Sequence, residues 1–313
     1  MGSLLPLLRS LRNPLFARLY AAQTTSLLGD AFTWVGLALL AFEVGGPNSA
    51  AILALALTLR VTAFVLLSPW AGILADRVDR RKLMGAADLG RMAVVGLMPW
   101  VDQVWQIYVL MFLLNALTAF FTPAYQAALP QVMKKDYAQA IALSGATYEV
   151  LGVLGPGIAG ALAGLMGPRN LFLLNAATFV LSALLILTLP TSLRVDPGEK
   201  KPATPLRDVQ EGTLWLWRDN PLRYALLLEL VAAISGALVL VGTVGLVRGK
   251  LGLGEAEYGW AMAAFGMGAT LAALAMGAWE RILPRTTFVL MGAWVSTLAV
   301  LPANWVTLTQ VAT

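Results

Sequence analysis

The two side chains that carry most acid–base and metal chemistry are both absent: this sequence contains no His and no Cys. Disulfides, thiolate catalysis and Cys-ligated metals are therefore excluded, and neither a resident metal nor a cofactor is expected. What remains is a small set of charged residues inside long apolar runs. Asp30, Arg60, Asp88, Arg91, Glu149 and Glu229 each interrupt such a run. An ionisable group within the hydrocarbon layer costs several kcal/mol, and its default reading is a functional or paired group. Asp30, Glu149 and Glu229 are candidate proton carriers, because a carboxyl that takes up a proton becomes neutral and tolerates an apolar layer. Arg60, Asp88 and Arg91 are candidate members of intramembrane ion pairs. Asp30 with Arg60 is one couple expected from similar depth, and Asp88 with Arg91, three apart on one helix face, is a local structural pair.

The runs themselves must position these groups. Of 313 residues, 58% are hydrophobic and 12% charged, about half the charge of an ordinary soluble domain. Stretches of roughly 20 apolar residues cross a bilayer as helices. The sequence predicts nine: 16–43, 50–75, 83–101, 104–128, 138–165, 170–190, 222–247, 257–279 and 286–303. The first is too long for a signal-peptide core and reads as a retained span. Counted over alternate loops, Lys and Arg number seventeen on one side and three on the other. By the positive-inside rule the N-terminus is cytoplasmic. The excess of 22 Lys and Arg over 17 Asp and Glu is therefore an orientation signal, and no nucleic-acid partner is expected. Residues 191–220 are polar and rich in Pro and Lys, which marks a linker. The expected organisation is a six-helix half over 1–190, a cytoplasmic linker over 191–220, and a partial C-terminal half of three helices over 221–313. Asn13-Pro14-Leu15 and Asn220-Pro221-Leu222 open corresponding spans, as in tandem repeats of one orientation. Glu43 ends the first span and is expected to be solvated, whereas Trp100 and Trp105 read as interface anchors.

After the second span comes Gly72-Ile-Leu-Ala-Asp76-Arg77-Val-Asp-Arg80-Arg81-Lys82. Gly72 is expected to admit a close helix neighbour, and Asp76 to cap the helix or bridge to the other half. The pattern resembles the signature loop of the major facilitator superfamily. Asn13-Pro-Leu-Phe-Ala-Arg18 with Gln23, Ser26, Gly29 and Asp30, together with Phe121-Thr-Pro123-Ala-Tyr125, is similar to the macrolide-efflux and enterobactin-exporter branch of drug-proton antiporters. Gly155, Pro156 and Gly160 resemble an antiporter Gly-Pro motif, although small residues also simply mark tight packing. The fourth span lacks the Arg that many such antiporters carry. On the family's twelve-helix pattern the sequence reads as C-terminally short.

The resemblance implies an all-α membrane bundle in the bacterial inner membrane, acting as a monomer, with a small-molecule substrate, protons and the lipid bilayer as partners. It implies secondary active efflux of an amphipathic compound such as a drug, a macrolide or a siderophore-like molecule, and no enzymatic activity. Trp34, Asn115 and Tyr125 are candidate substrate-cavity residues. The alternatives are a truncated non-transporting relative and a lipid or lysophospholipid translocator. Orientation has a direct test: reporter fusions at Lys135 and Gly167 should give opposite-side signals. Same-side signals would break the helix count through the fifth span.

Overall fold

Asn13 opens the first long helix. Its side chain accepts from the backbone N–H of Leu15 at 3.0 Å and of Phe16 at 3.3 Å, and Pro14 follows with its φ already set for a helix. Helix α1 then runs Pro14–Gly45. A three-residue turn entered by Gly46 at φ +53° reverses the chain into α2, Ser49–Arg77. The buried Asp79 caps α3, Arg80–Leu97, by accepting from the N–H of Arg81 at 3.0 Å. Reciprocal bonds between Gln103 and Gln106 start α4, Val104–Val132. Helices α5, Tyr137–Met166, and α6, Pro168–Leu187, complete the series.

The structure is a computed structural model that describes residues 9–133, 136–190, 193, 242–254 and 257–262, with isolated positions between 214 and 268. Among the described residues there is no strand. The six helices coincide with the first six expected spans to within a few residues. Most of 191–220 and of the last three expected spans lies outside the described residues. Within those spans, 242–244 and 257–262 are helical and Gly245–Lys250 forms a π-helical turn.

Three segments made of single helices, α4, α5 and α6, are long and apolar enough to cross a membrane, as is the continuous stretch Pro14–Arg77 that holds α1 and α2. Helix α3 is not among them, because its first three residues are cations and Asp88 and Arg91 follow. It is held instead by packing between α4 and α6, while α1 lies along α5 and α6 and α2 lies along α4. Lipid offers no hydrophobic force between helices, so close backbone approach must supply it. The α1–α6 seam shows how. Gly29, Thr33 and Gly36 share one face of α1, and Thr33 Oγ1 accepts from the buried Asn175 Nδ2 at 2.6 Å. A Cβ on Gly29 would overlap the side chains of Asn175 and Thr178, and one on Gly36 would stand 3.2 Å from Phe172.

Two apolar clusters result, one towards each end of the bundle. The cluster at the Asn13 end includes Phe16, Leu19, Met84, Phe121, Leu129 and Ile186. The other includes Leu37, Leu40, Leu53, Met98, Ile107 and Phe172, and Val244, Val247, Tyr258 and Met262 join it. At that second end Arg169 binds Glu43 at 2.9 Å, lies 3.7 Å from Asp102, and donates to the carbonyl of Pro99 at 2.6 Å. The expectation of a merely solvated Glu43 is therefore corrected. It is one leg of a staple joining α1, α6 and the α3–α4 turn.

The seam yields a test. Gly29→Val should destabilise by about 1–3 kcal/mol through overpacking, read as a lowered melting temperature of the purified protein. Gly96→Val is the control, since a Cβ there meets nothing within 4 Å. Equal melting of the two variants would dismiss the seam.

Candidate functional site

Between the two apolar clusters lies a thin charged layer. Asp88 and Arg91 on α3 form an ion pair at its centre, with side chains 0% and 2% exposed. Ser182 on α6 donates to Asp88 Oδ2 at 2.7 Å. The Arg91 guanidinium is sandwiched between Phe121 of α4 at 4.3 Å and Phe179 of α6 at 4.5 Å. One buried pair thus joins three helices, the structural arrangement expected for it from spacing.

The other charges of the layer are arranged differently. Asp30 and Trp34 stand one turn apart on the same side of α1, with Gln23 two turns below Asp30. Asp30 is half-buried, makes no hydrogen bond or ion pair among the described residues, and lies in the fields of Arg91, Arg60 and Asp88. The expected Asp30–Arg60 couple is not formed: Arg60 instead lays its guanidinium over Trp34, 5.1 Å from the ring centroid. The hairpin register explains this. Trp34 precedes the end of α1 by eleven residues and Arg60 follows the start of α2 by eleven, so they meet at one depth. Asp30 lies a turn away. Glu149 is exposed on α5 rather than enclosed at mid-depth. Glu229 lies outside the described residues.

The other expected cavity residues divide. Asn115 is buried and donates to the carbonyl of Met111 on its own helix at 2.7 Å. Tyr125 is 7% exposed, stacks on Phe121, and sets its hydroxyl beside that of Ser144, while Tyr20 and Thr147 bond each other at 2.5 Å. Of these hydroxyls Tyr125 was singled out from the sequence, whereas Tyr20, Ser144 and Thr147 were not, because isolated hydroxyl side chains in apolar spans carry no spacing signal. In the Gly-Pro motif of α5, Gly155 packs on Ala31, where a Cβ would stand 2.6 Å from its neighbour. Gly160 meets the backbone of Gly259, and a Cβ on Gly259 would come 2.6 Å from the Gly160 carbonyl carbon. Pro156 lies between them, half-buried.

The signature loop is tied by Arg80 and Arg81, two of the residues expected there, together with Asp79. A Cβ at Gly72 would meet nothing within 4 Å, so the close approach expected there is not made by the described residues. The Asp76 side chain is 70% exposed and pairs with Arg80 at 3.1 Å, within its own half. Arg77 is exposed. Arg80 is the buried anchor: it also donates to the carbonyls of Ala75 at 3.0 Å and Ala127 at 2.9 Å. Arg81 donates to the carbonyl of Leu189 at 2.6 Å. The buried Asp79, not singled out from the sequence, accepts from the N–H of Leu193 at 3.1 Å as well as capping α3.

With this geometry in place, the chain can be set beside known proteins. A family model described as Major Facilitator Superfamily matches residues 19–307. The chain is 30% identical over 266 residues to an uncharacterised MFS-type transporter, YfiS, of Bacillus subtilis, covering 83% of this chain and 63% of that protein. It is 26% identical over 219 residues to Macrolide efflux protein A of Streptococcus pyogenes, covering 68% of this chain and 53% of that one. It is 28% identical over 315 residues to the multidrug efflux pump Tap of Mycolicibacterium fortuitum, covering 93% and 74%. The chain thus spans less than two thirds of the length of the first two of these relatives.

The buried pair makes a prediction independent of any activity. Removing one member strands a buried charge and costs about 3–5 kcal/mol, whereas replacing both by apolar residues of similar volume is close to neutral. Asp88→Leu alone should therefore lower the melting temperature sharply, and Asp88→Leu with Arg91→Met should restore most of the loss. A double variant as unstable as the single would show that Arg91 has another role.

Proposed function

We propose that this chain, which belongs to the Major Facilitator Superfamily, acts in proton-coupled secondary export of an amphipathic small molecule. It is a multi-pass membrane protein. Export is favoured by the efflux proteins among its relatives, whose names give macrolides and multiple drugs as cargo. The proposed placement is the bacterial inner membrane, as a monomer with a cytoplasmic N-terminus, on the seventeen-to-three asymmetry of Lys and Arg. The signature loop and the 191–220 linker then face the cytoplasm. The proposed organisation stays a six-helix half over 1–190 followed by a second half after the linker.

One observation carries the coupling: Asp30 is a carboxylate sixteen residues along α1, roughly 24 Å from its start, with no direct partner among the described residues. A structural carboxylate at that depth is expected to look like Asp88, ion-paired and hydrogen-bonded. Asp30 instead has no such bond, and Arg91 and Arg60 act on it only through their fields. Such a group can gain and lose a proton without dismantling the bundle. Glu149 is the reserve carrier, exposed on α5 with no partner among the described residues. The segments 244–247 and 258–262 pack on α1 and α5 at the Glu43 end, where Arg248 also lies over Phe42 at 5.4 Å. That contact fits a transporter closed on the far side of the membrane.

The test is transport in reconstituted vesicles under an imposed pH gradient. Asp30→Asn should abolish uphill export while exchange of substrate down its own gradient survives, and Glu149→Gln should leave uphill export largely intact. Uphill export by Asp30→Asn at the unmodified rate would overturn coupling through Asp30. The opposite ranking would transfer the role to Glu149.

A further inference from the structure

Arg60 is the one mid-span cation among the described residues whose charge no carboxylate meets within ion-pair distance. Arg91, by contrast, has Asp88. The position of Arg60 on α2 is not a lipid-facing one. It falls between Ala56 and Ala63, both fully buried, on the stripe that α2 turns to the bundle. Arg60 is nevertheless only half-buried, and the side chains one turn away on that stripe are the methyl groups of Ala56 and Ala63. Its one described contact is the face of Trp34, itself half-buried. Stacking of this kind holds the plane of a guanidinium while leaving its N–H donors unspent. Those donors form a planar fork matched to two oxygens of a carboxylate or a phosphate. Asp30, one turn away on the helix that carries Trp34, supplies a field but no bond.

We propose that Arg60, held on Trp34, is the binding point for an anionic headgroup, a carboxylate or a phosphate monoester or diester borne by an amphipathic ligand. The ligand's charge then occupies the place that a static partner would otherwise fill, and its apolar part lies against the exposed apolar surface of α2. Asp30 sits close enough to compete with the ligand for the same cation. This assignment deepens the export reading by naming the substrate class, and binding can be measured where transport is not.

The test is equilibrium binding to the purified full chain in nanodiscs of phosphatidylcholine. Four probes are compared: deoxycholate, lysophosphatidylglycerol, lysophosphatidylcholine and tetraphenylphosphonium. At least one of the two anionic probes should bind about tenfold or more tightly than the cation. Arg60→Gln should erase that preference at unchanged melting temperature, and Arg60→Lys should retain part of it through charge without the planar fork. Asp30→Asn should tighten anion binding by removing the competing carboxylate. If Arg60→Gln proves unstable, the Asp30→Asn result alone still decides, since a site elsewhere would not respond to it. Preference for deoxycholate would mark a soluble amphiphile as the source of the anion, and preference for lysophosphatidylglycerol a lipid. Equal binding of anions and cation, or anion binding untouched by both variants, would overturn the proposal whatever the export assay shows.

Discussion

A single buried ion pair sets the terms for the packing of α1–α6. Asp88 and Arg91 lie where neither water nor lipid headgroups reach, and an isolated charge there would be prohibitive. The pair survives because every other helix near it contributes. Helix α6 brings Ser182 to one carboxylate oxygen and Phe179 to one face of the guanidinium, and α4 brings Phe121 to the other face. This compels α3 to sit between α4 and α6 although α3 itself lacks the apolar character of its neighbours. The most polar helix is thus the most firmly located. Its Asp88 and Arg91 are buried against partners, and buried apolar residues of the helix join the two clusters above and below.

The same logic, cation against helix end, organises the face that bears Asn13. A helix finishes with carbonyls that lack backbone donors and with a partial negative charge. Arg18 donates to the carbonyl of Thr188 at 2.9 Å and Arg81 to that of Leu189 at 2.6 Å, both at the end of α6. Arg80 reaches the last turns of α4 at Ala127, and Asn13 donates to the carbonyl of Val132 at 3.0 Å. The cations that sequence reading counts for orientation therefore also serve as caps for helices far away in the chain. Asp79 extends the arrangement past α6 by accepting from the backbone N–H of Leu193. At the opposite face one residue, Arg169, performs the equivalent task for α1, α6 and the α3–α4 turn.

The helices were legible because a run of some 20 apolar residues has few alternatives in a membrane. Partner choice was less so. Depth along a span is read from residue counts, and an error of one turn changes which side chains meet. Asp30 and Arg60 both fall near mid-span, yet the three-residue turn after Gly45 sets the register that delivers Arg60 to Trp34. The Asp88–Arg91 pair was legible because i,i+3 spacing needs no register between helices. Asp79 went unnoticed for a different reason. Its neighbours Asp76 and Arg80 carry the recognisable pattern, while its own work is done on backbone N–H groups that no sequence motif records. Glu43 and Arg169, 126 residues apart in sequence, meet only because α1 and α6 share a long seam.

What distinguishes the charges of the central layer is therefore whether folding itself satisfies them. Asp88 and Arg91 are paired with each other inside the bundle, so removing either charge would cost the bundle its centre. Asp30 and Arg60 stand at comparable depth but are left with unspent capacity: the one without a bond, the other with a stacking partner that neutralises nothing. A fold gains no stability by leaving such groups half-satisfied, and cavities in transporters are where unsatisfied polarity is retained for a ligand. The rigid pair and the free pair lie in one layer and feel each other's fields. On the proposed reading, a proton or an anion arriving at Asp30 and Arg60 would act on a site whose frame, α3 packed between α4 and α6, is held by other interactions.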